Sequence, residues 1–299
     1  MTGPSTGQVC TSDNFSITVN SNTRIWFFLD VSDDLGSTWG LDNSRKTFNQ
    51  QSPPFSSVIS GLNISQTRRY RLRYTTDNPA VIANGTYVNL PQTLDITNYT
   101  TPYVNNISGI IACGGTAFTV TPTDGSGNIV PVGTKYTWTI ATPNANLTGA
   151  TDQSLSQSII SQTLTNTSIT PQSISYSVTP ITSNNCLGDP FSINVTVNPT
   201  PQIATVTTPV ICSDQTLSFT PVNVTNGIIP AGTTYTWTVV PNANVTGESD
   251  ITSPQSSIGL SQTLRNTTTT LQTVVYNITP ISSLNCSGTP FTLNVPVNP

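Results

Sequence analysis

Tyr136-Thr-Trp138-Thr, closed later by Phe191-Ser-Ile193-Asn-Val195-Thr-Val197-Asn-Pro199, decides the fold, because the chain contains this stretch twice. It returns as Tyr235-Thr-Trp237-Thr and Phe291-Thr-Leu293-Asn-Val295-Pro-Val297-Asn-Pro299. Trp138 and Trp237 stand 99 positions apart, as do Cys113 and Cys212; Tyr176 and Tyr276 stand 100 apart, as do Cys186 and Cys286. Solenoid units repeat every ~20–50 residues, so a spacing of a whole domain's length means tandem domains. The repeat predicts three: matched modules at 102–200 and 201–299, and a divergent relative at 1–101 in which Cys10-Thr-Ser-Asp-Asn-Phe15 echoes Cys212-Ser-Asp-Gln-Thr-Leu217.

The alternation inside each module gives the fold class. Tyr136, Trp138 and Ile140 project to one side of an extended chain, and Lys135, Thr137 and Thr139 to the other. Phe118 and Val120, then Ile174, Tyr176 and Val178, then Phe191, Ile193, Val195 and Val197 repeat the pattern, with Gly, Asn and Pro turns such as Asp124-Gly-Ser-Gly-Asn128 between them. Strands with one apolar and one polar face build two-sheet sandwiches, here in immunoglobulin-like order: Phe118 on strand B, Trp138 on C, Ser161 to Leu164 on E, Tyr176 on F and Phe191 on G. The expectation is an all-β chain of tandem immunoglobulin-like sandwiches forming an elongated rod. In the first module Arg24-Ile-Trp26-Phe-Phe28-Leu reads as strand C and Arg68-Arg-Tyr70-Arg-Leu72-Arg-Tyr74 as strand F.

Composition narrows the function. Charged residues make up only 7% of 299 residues, with a net charge of −4, and the cations are unevenly placed. Arg24, Arg45, Lys46, Arg68, Arg69, Arg71 and Arg73 fall in the first module; only Lys135 and Arg265 follow. Near-neutral modules rich in hydroxyls and amides do not capture nucleic acid. No run approaches the roughly 20 apolar residues of a membrane span. Met1-Thr-Gly-Pro lacks a secretory signal's basic head and apolar run, so Met1 reads as an added or trimmed start. There is no His, which removes the commonest general base and metal ligand. No nucleophile–base pair, phosphate loop or repeated carboxylate pair stands out, so the chain reads as non-enzymatic.

Four features invite a sharper reading. Arg69, Arg71 and Arg73 share one face of a strand and could form a basic stripe for an acidic polysaccharide; the plainer reading pairs them across strands with Asp30, Asp33 or Asp34. Asp30, Asp33 and Asp34, followed by Asp42, could hold Ca²⁺, although the spacing is not that of an EF-hand and Asp124 becomes Asn223 in the next copy. An Asp-rich turn explains them as well. Trp138 and Trp237 could stack on sugars if exposed, but their phase with Tyr136 and Tyr235 places them in the core. Asn-x-Ser/Thr triplets such as Asn106-Ile-Ser and Asn194-Val-Thr need reflect only composition.

Taken together, Pro131-Val-Gly-Thr-Lys-Tyr136-Thr-Trp138, Pro230-Ala-Gly-Thr-Thr-Tyr235-Thr-Trp237, the Ser-x-Thr-Leu-x-Asn-Thr stretches and the closing Val-Asn-Pro resemble PKD-like repeats. Such repeats occur in giant secreted adhesins of the Bacteroidota, including the mobile surface adhesin of gliding bacteria exported by type IX secretion. The resemblance covers roughly 102–299. It implies a stalk segment at a bacterial cell surface, with adjacent modules, surface polysaccharide or the gliding and secretion machinery as partners. A binding module with the first domain as its recognition element, and the accessory region of a secreted enzyme, are the alternatives.

Five cysteines recurring in small hydroxyl-rich β modules suggest an oxidising, extracellular setting. Pairing within modules would join Cys113 to Cys186 and Cys212 to Cys286. In the strand order these lie at opposite ends of a module, a strand length of ~17–20 Å apart, whereas a disulfide needs Cα atoms within about 7 Å. Reach favours pairing between neighbours: Cys10 with Cys186 and Cys113 with Cys286, Cys212 awaiting a module beyond Pro299. Pairing within modules stays open should Cys113 lie nearer the leading end.

Overall fold

A computed structural model describes residues 7–11, 14–21, 26–33, 40–41, 55–62, 66–75 and 88–299. Among them every regular element is a strand, and strands pair only within 8–99, within 107–198 and within 202–298. By proximity the chain divides into two compact units, one of Met1–Val104, Thr123–Lys135 and Pro180–Asp189, the other of Asn105–Pro122, Tyr136–Thr179 and Pro190–Pro299.

The second sandwich has a large sheet in the order Gln153–Gln157, Lys135–Thr142, Gln172–Ile181, Phe191–Asn198, Ile107–Cys113, and it faces the small pairs Ala117–Val120 with Ile160–Thr163 and Leu147–Thr148 with Thr165–Asn166. The third repeats it with Ile251–Gln255, Thr234–Val240, Gln272–Ile281 and Phe291–Asn298 opposite Gln215–Phe219, Ile258–Asn266 and Val245–Thr246. The period-two alternation does what its phase demands: Tyr136, Trp138, Ile174, Tyr176 and Val195 are buried, as are Tyr235, Trp237, Val274, Tyr276 and Val295. Phe118 and Tyr176 meet across the two sheets with ring centroids 5.8 Å apart.

In the first sandwich Gln8–Cys10, Val88–Tyr99, Arg68–Thr75, Trp26–Ser32 and Gly40–Leu41 form one sheet, and Phe15–Ser21 pairs with Phe55–Leu62 in the other. Phe15, Ile17 and Ile59 from the second sheet pack on Tyr70, Leu72 and Ile96 from the first. The expected strands C and F are present, although Arg24 and Ile25 lie outside the described residues. Val88–Tyr99 is a strand that the sequence reading did not assign, and Pro91 within it is unfavourable to one. A bulge admits it. Arg71 opposes Thr93 and Arg73 opposes Asn89, so two extra residues around Pro91 leave the ladder there.

Candidate functional site

What recurs is a pair of module ends. At the trailing end a short strand runs parallel to the last strand and finishes on a cysteine: Cys10 opposite Tyr99, Cys113 opposite Asn198, Cys212 opposite Asn298. The next residue's N–H donates to that opposed carbonyl each time, Thr11 to Tyr99 O at 2.8 Å, Gly114 to Asn198 O at 2.9 Å and Ser213 to Asn298 O at 3.1 Å. Thr101 and Thr200, each just before the next module, close the end by donating from Oγ1 to Thr11 O (3.0 Å) and Gly114 O (2.9 Å).

The leading end is a tight loop before the last strand. Cys186 donates its N–H to Thr182 Oγ1, and Cys286 to Ser282 Oγ, both at 3.1 Å. Asn185 and Asn285 take φ of 61° and 60°, a left-handed conformation that Asn tolerates better than most side chains, and this turns the following cysteine inward. Both loop cysteines are fully buried. Two residues on, Gly188 and Gly288 press against the carbonyl oxygens of Pro102 and Pro201, where a Cβ would overlap the oxygen.

Trailing and leading ends are joined covalently. Cys10 is bonded to Cys186 and Cys113 to Cys286, each with Cα atoms 5.5 Å apart, and Cys212 is free and exposed. Cys113 lies opposite Asn198, at the closing end of the strand Phe191–Asn198, and Cys186 precedes that strand in the chain. Beside the second joint an open cleft of about 590 Å³ is lined by residues such as Gly114, Thr200, Gln202 and Asn226, with no charged or aromatic side chain to grip a ligand.

Two amides in each module, Gln162 and Asn166 in the second and Gln262 and Asn266 in the third, hold the frame and escaped the sequence reading. Gln262 accepts from Tyr276 OH at 2.8 Å and from Ser249 N at 3.3 Å, and its Nε2 donates to Ser249 O at 2.6 Å. Gln162 clasps Thr151 and Tyr176 in the same way. Asn166 donates to Thr170 O and Val197 O at 2.8 Å, tying its loop to the end of the last strand, and Asn266 repeats this with Thr270 and Val297. Their recurrence at a spacing of 100 inside Ser-Gln-Thr-Leu-x-Asn-Thr was the available signal.

The arginine stripe is engaged within its own sandwich. Arg71 and Arg73 both donate through Nε to Asp30 Oδ2, at 3.0 and 2.7 Å, and Asp30 is only 2% exposed. Arg69 binds Asp95 through two bonds of 2.5 and 2.8 Å, which hold the Asp95 carboxyl below its usual range. Arg71 lies directly across from Asp30, and Arg69 from Asp95, so these are cross-strand pairs. Asp33 pairs with Arg68 at 2.7 Å. The two described carboxylates of the calcium hypothesis thus go to different arginines; Asp34 and Asp42 lie outside the described residues. Among the described residues no three His, Cys, Asp or Glu cluster to hold a metal ion. Asp124 and Asn223 play one role, accepting from Val130 N and Ile229 N at 2.9 Å across the same turn.

Trp138 and Trp237, at 5% and 3% exposure, offer no face to a sugar. Burial pushes the Tyr176 and Tyr235 hydroxyls up to about 12 and raises those of Tyr136 and Tyr276.

Residues 111–201 and 209–299 each match the PKD-like domain family. No curated protein matches the chain. Among solved structures it is similar to a three-immunoglobulin-domain segment of titin (8% identity, 98% of this chain and 95% of that one, TM-score 0.32). It is also similar to three fibronectin domains of chicken CNTN1 (12%, 97% and 95%, TM-score 0.26) and to fibronectin(III)-like modules of Clostridium thermocellum CbhA (13%, 66% and 94%, TM-score 0.26).

Proposed function

Since the chain belongs to the PKD-like domain family, we propose that it is a structural spacer in an extracellular adhesin or surface filament, built of modules 1–101, 102–200 and 201–299. The observation that carries this reading is the repeated joint: the same trailing end, leading loop and disulfide occur twice. Interfaces between domains ordinarily permit relative motion, and a covalent tie at each joint restricts it. Two disulfides fit an extracellular location, and no helix among the described residues is long and apolar enough to cross a membrane.

Immunoglobulin-like modules of this kind are as a rule non-catalytic, and function has to be argued from sites rather than from the fold. The finer setting, a gliding or other surface adhesin of the Bacteroidota exported by type IX secretion, rests on the resemblance of the motifs. Cys212 stands in the same backbone setting as Cys10 and Cys113, a setting that would suit the leading-loop cysteine of another PKD-like module. A first module that recognises a glycan through Arg69, Arg71 and Arg73 draws no support from the pairing of those side chains with Asp30 and Asp95.

Small-angle X-ray scattering of the wild-type chain against Cys10→Ser/Cys113→Ser tests the spacer. Stapled joints give a single narrow distribution of pair distances that broadens in the double variant. Identical profiles would remove the stiffening role.

A further inference from the structure

The two disulfides interleave. Cys10 reaches past Cys113 to Cys186, and Cys113 reaches past Cys186 to Cys286. Tension applied to the two ends of the chain is therefore limited by a path other than the backbone. The shortest covalent route runs from Met1 to Cys10, crosses to Cys186, returns along the backbone to Cys113, crosses to Cys286 and leaves for Pro299. It contains about 95 residues, and an extended residue spans at most ~3.3–3.6 Å, so the route cannot exceed about 330 Å against about 1,030 Å for the open backbone.

We infer that the chain is a tether of capped extension, held by its disulfides to about a third of its contour length, with the middle sandwich as its load-bearing element. The local geometry suits that role. Ile107–Cys113 runs parallel to Phe191–Asn198, with Cys113 at the far tip of one strand and Cys186 just ahead of the near end of the other. Tension on the two cysteines draws these neighbours in opposite directions along their length. Their hydrogen bonds are then loaded together in shear instead of being peeled in turn. Residues 11–112 and 187–285 lie off the shortest route, so whatever unfolds in them cannot lengthen the whole beyond that limit. The middle sandwich can lose its structure under load without the ends separating further than the cap.

This inference deepens the spacer reading but rests on the cysteine pairing alone, so it can fail while a spacer role stands, and the reverse. Pulling the full chain by its two termini in an optical trap, without reductant, is expected to reach about 330 Å when fully unfolded, rising to about 1,030 Å once reduced. Cys10→Ser removes one crossing, leaves a route of about 125 residues, and is expected to reach about 430 Å. The readout follows covalent connectivity, so a variant that folds less well still reports it. An oxidised length of about 520 Å, the value for pairing within modules, or one equal to the reduced length, would overturn the inference. So would a Cys10→Ser chain with unchanged reach.

Discussion

Cys10 and Cys186 lie with their Cα atoms 5.5 Å apart although 176 positions separate them, and Cys113 and Cys286 reproduce that distance across 173. A separation so nearly equal in two independent pairs reflects the period of the modules plus the fixed offset between trailing end and leading loop. The disulfide belongs to the repeat, as the core does, and is inherited with each copy.

Gly288 is what lets the second joint close. A methyl group there would overlap Pro201 O, and overpacking of this kind costs about 1–3 kcal/mol. Gly288→Ala is expected to slow formation of Cys113–Cys286 several-fold during oxidative refolding, followed by timed alkylation and mass spectrometry. An unchanged rate would mean that the contact does not govern the joint.

Gln262 serves the core. Gln262→Leu leaves the buried Tyr276 hydroxyl without this partner, at about 1–3 kcal/mol, and removes the tie to the Ser249 N–H and carbonyl. The third sandwich is expected to unfold at lower urea while the first two hold their midpoints, and Gln162→Leu should transfer the loss to the second. A uniform shift of the whole chain would contradict independent module cores.

Asp30 neutralises two guanidiniums from inside the first sandwich. Asp30→Asn keeps the shape, removes the charge, and is expected to cost about 2 kcal/mol, since it weakens two hydrogen bonds made to a buried charged group. Asp95→Asn breaks a solvent-exposed pair and should change stability little. Urea titration of both variants separates the two cases; equal losses would show that burial does not govern them.

Alkali should destabilise the sandwiches. The Tyr176 and Tyr235 hydroxyls are held near 12 when folded, against about 10 when exposed, so between those values the unfolded chain has released protons that the folded one retains. Stability contributed by these groups is whole below pH 10 and is lost as pH rises towards 12, by at most about 1.4 kcal/mol per pH unit for each tyrosine. Ultraviolet titration at 295 nm is expected to show late-ionising tyrosines, with unfolding midpoints falling above pH 10. Ionisation of every tyrosine near pH 10 in the folded chain would contradict the burial.

The phase of Tyr136 and Trp138 was legible because a strand's side chains alternate, and a residue's face follows from counting. The order of strands then favoured, by reach, pairing Cys10 with Cys186 and Cys113 with Cys286, and left pairing within modules open. Val88–Tyr99 was not legible, because Pro91 hides a strand that a bulge makes possible, and with it went Asp95, the partner of Arg69. Gly188 and Gly288 were hidden for another reason. Close approach of a backbone oxygen leaves no periodicity, only the recurrence of Cys-x-Gly, which becomes meaningful once Pro102 and Pro201 are seen against it.

The inter-module joint is tested by peptide mapping of the unreduced protein. After alkylation of free thiols and digestion, the expected linked peptides are Cys10 with Cys186 and Cys113 with Cys286, and Cys212 carries the alkyl label. A peptide joining Cys113 to Cys186, or Cys212 to Cys286, would place the disulfides inside modules and contradict it.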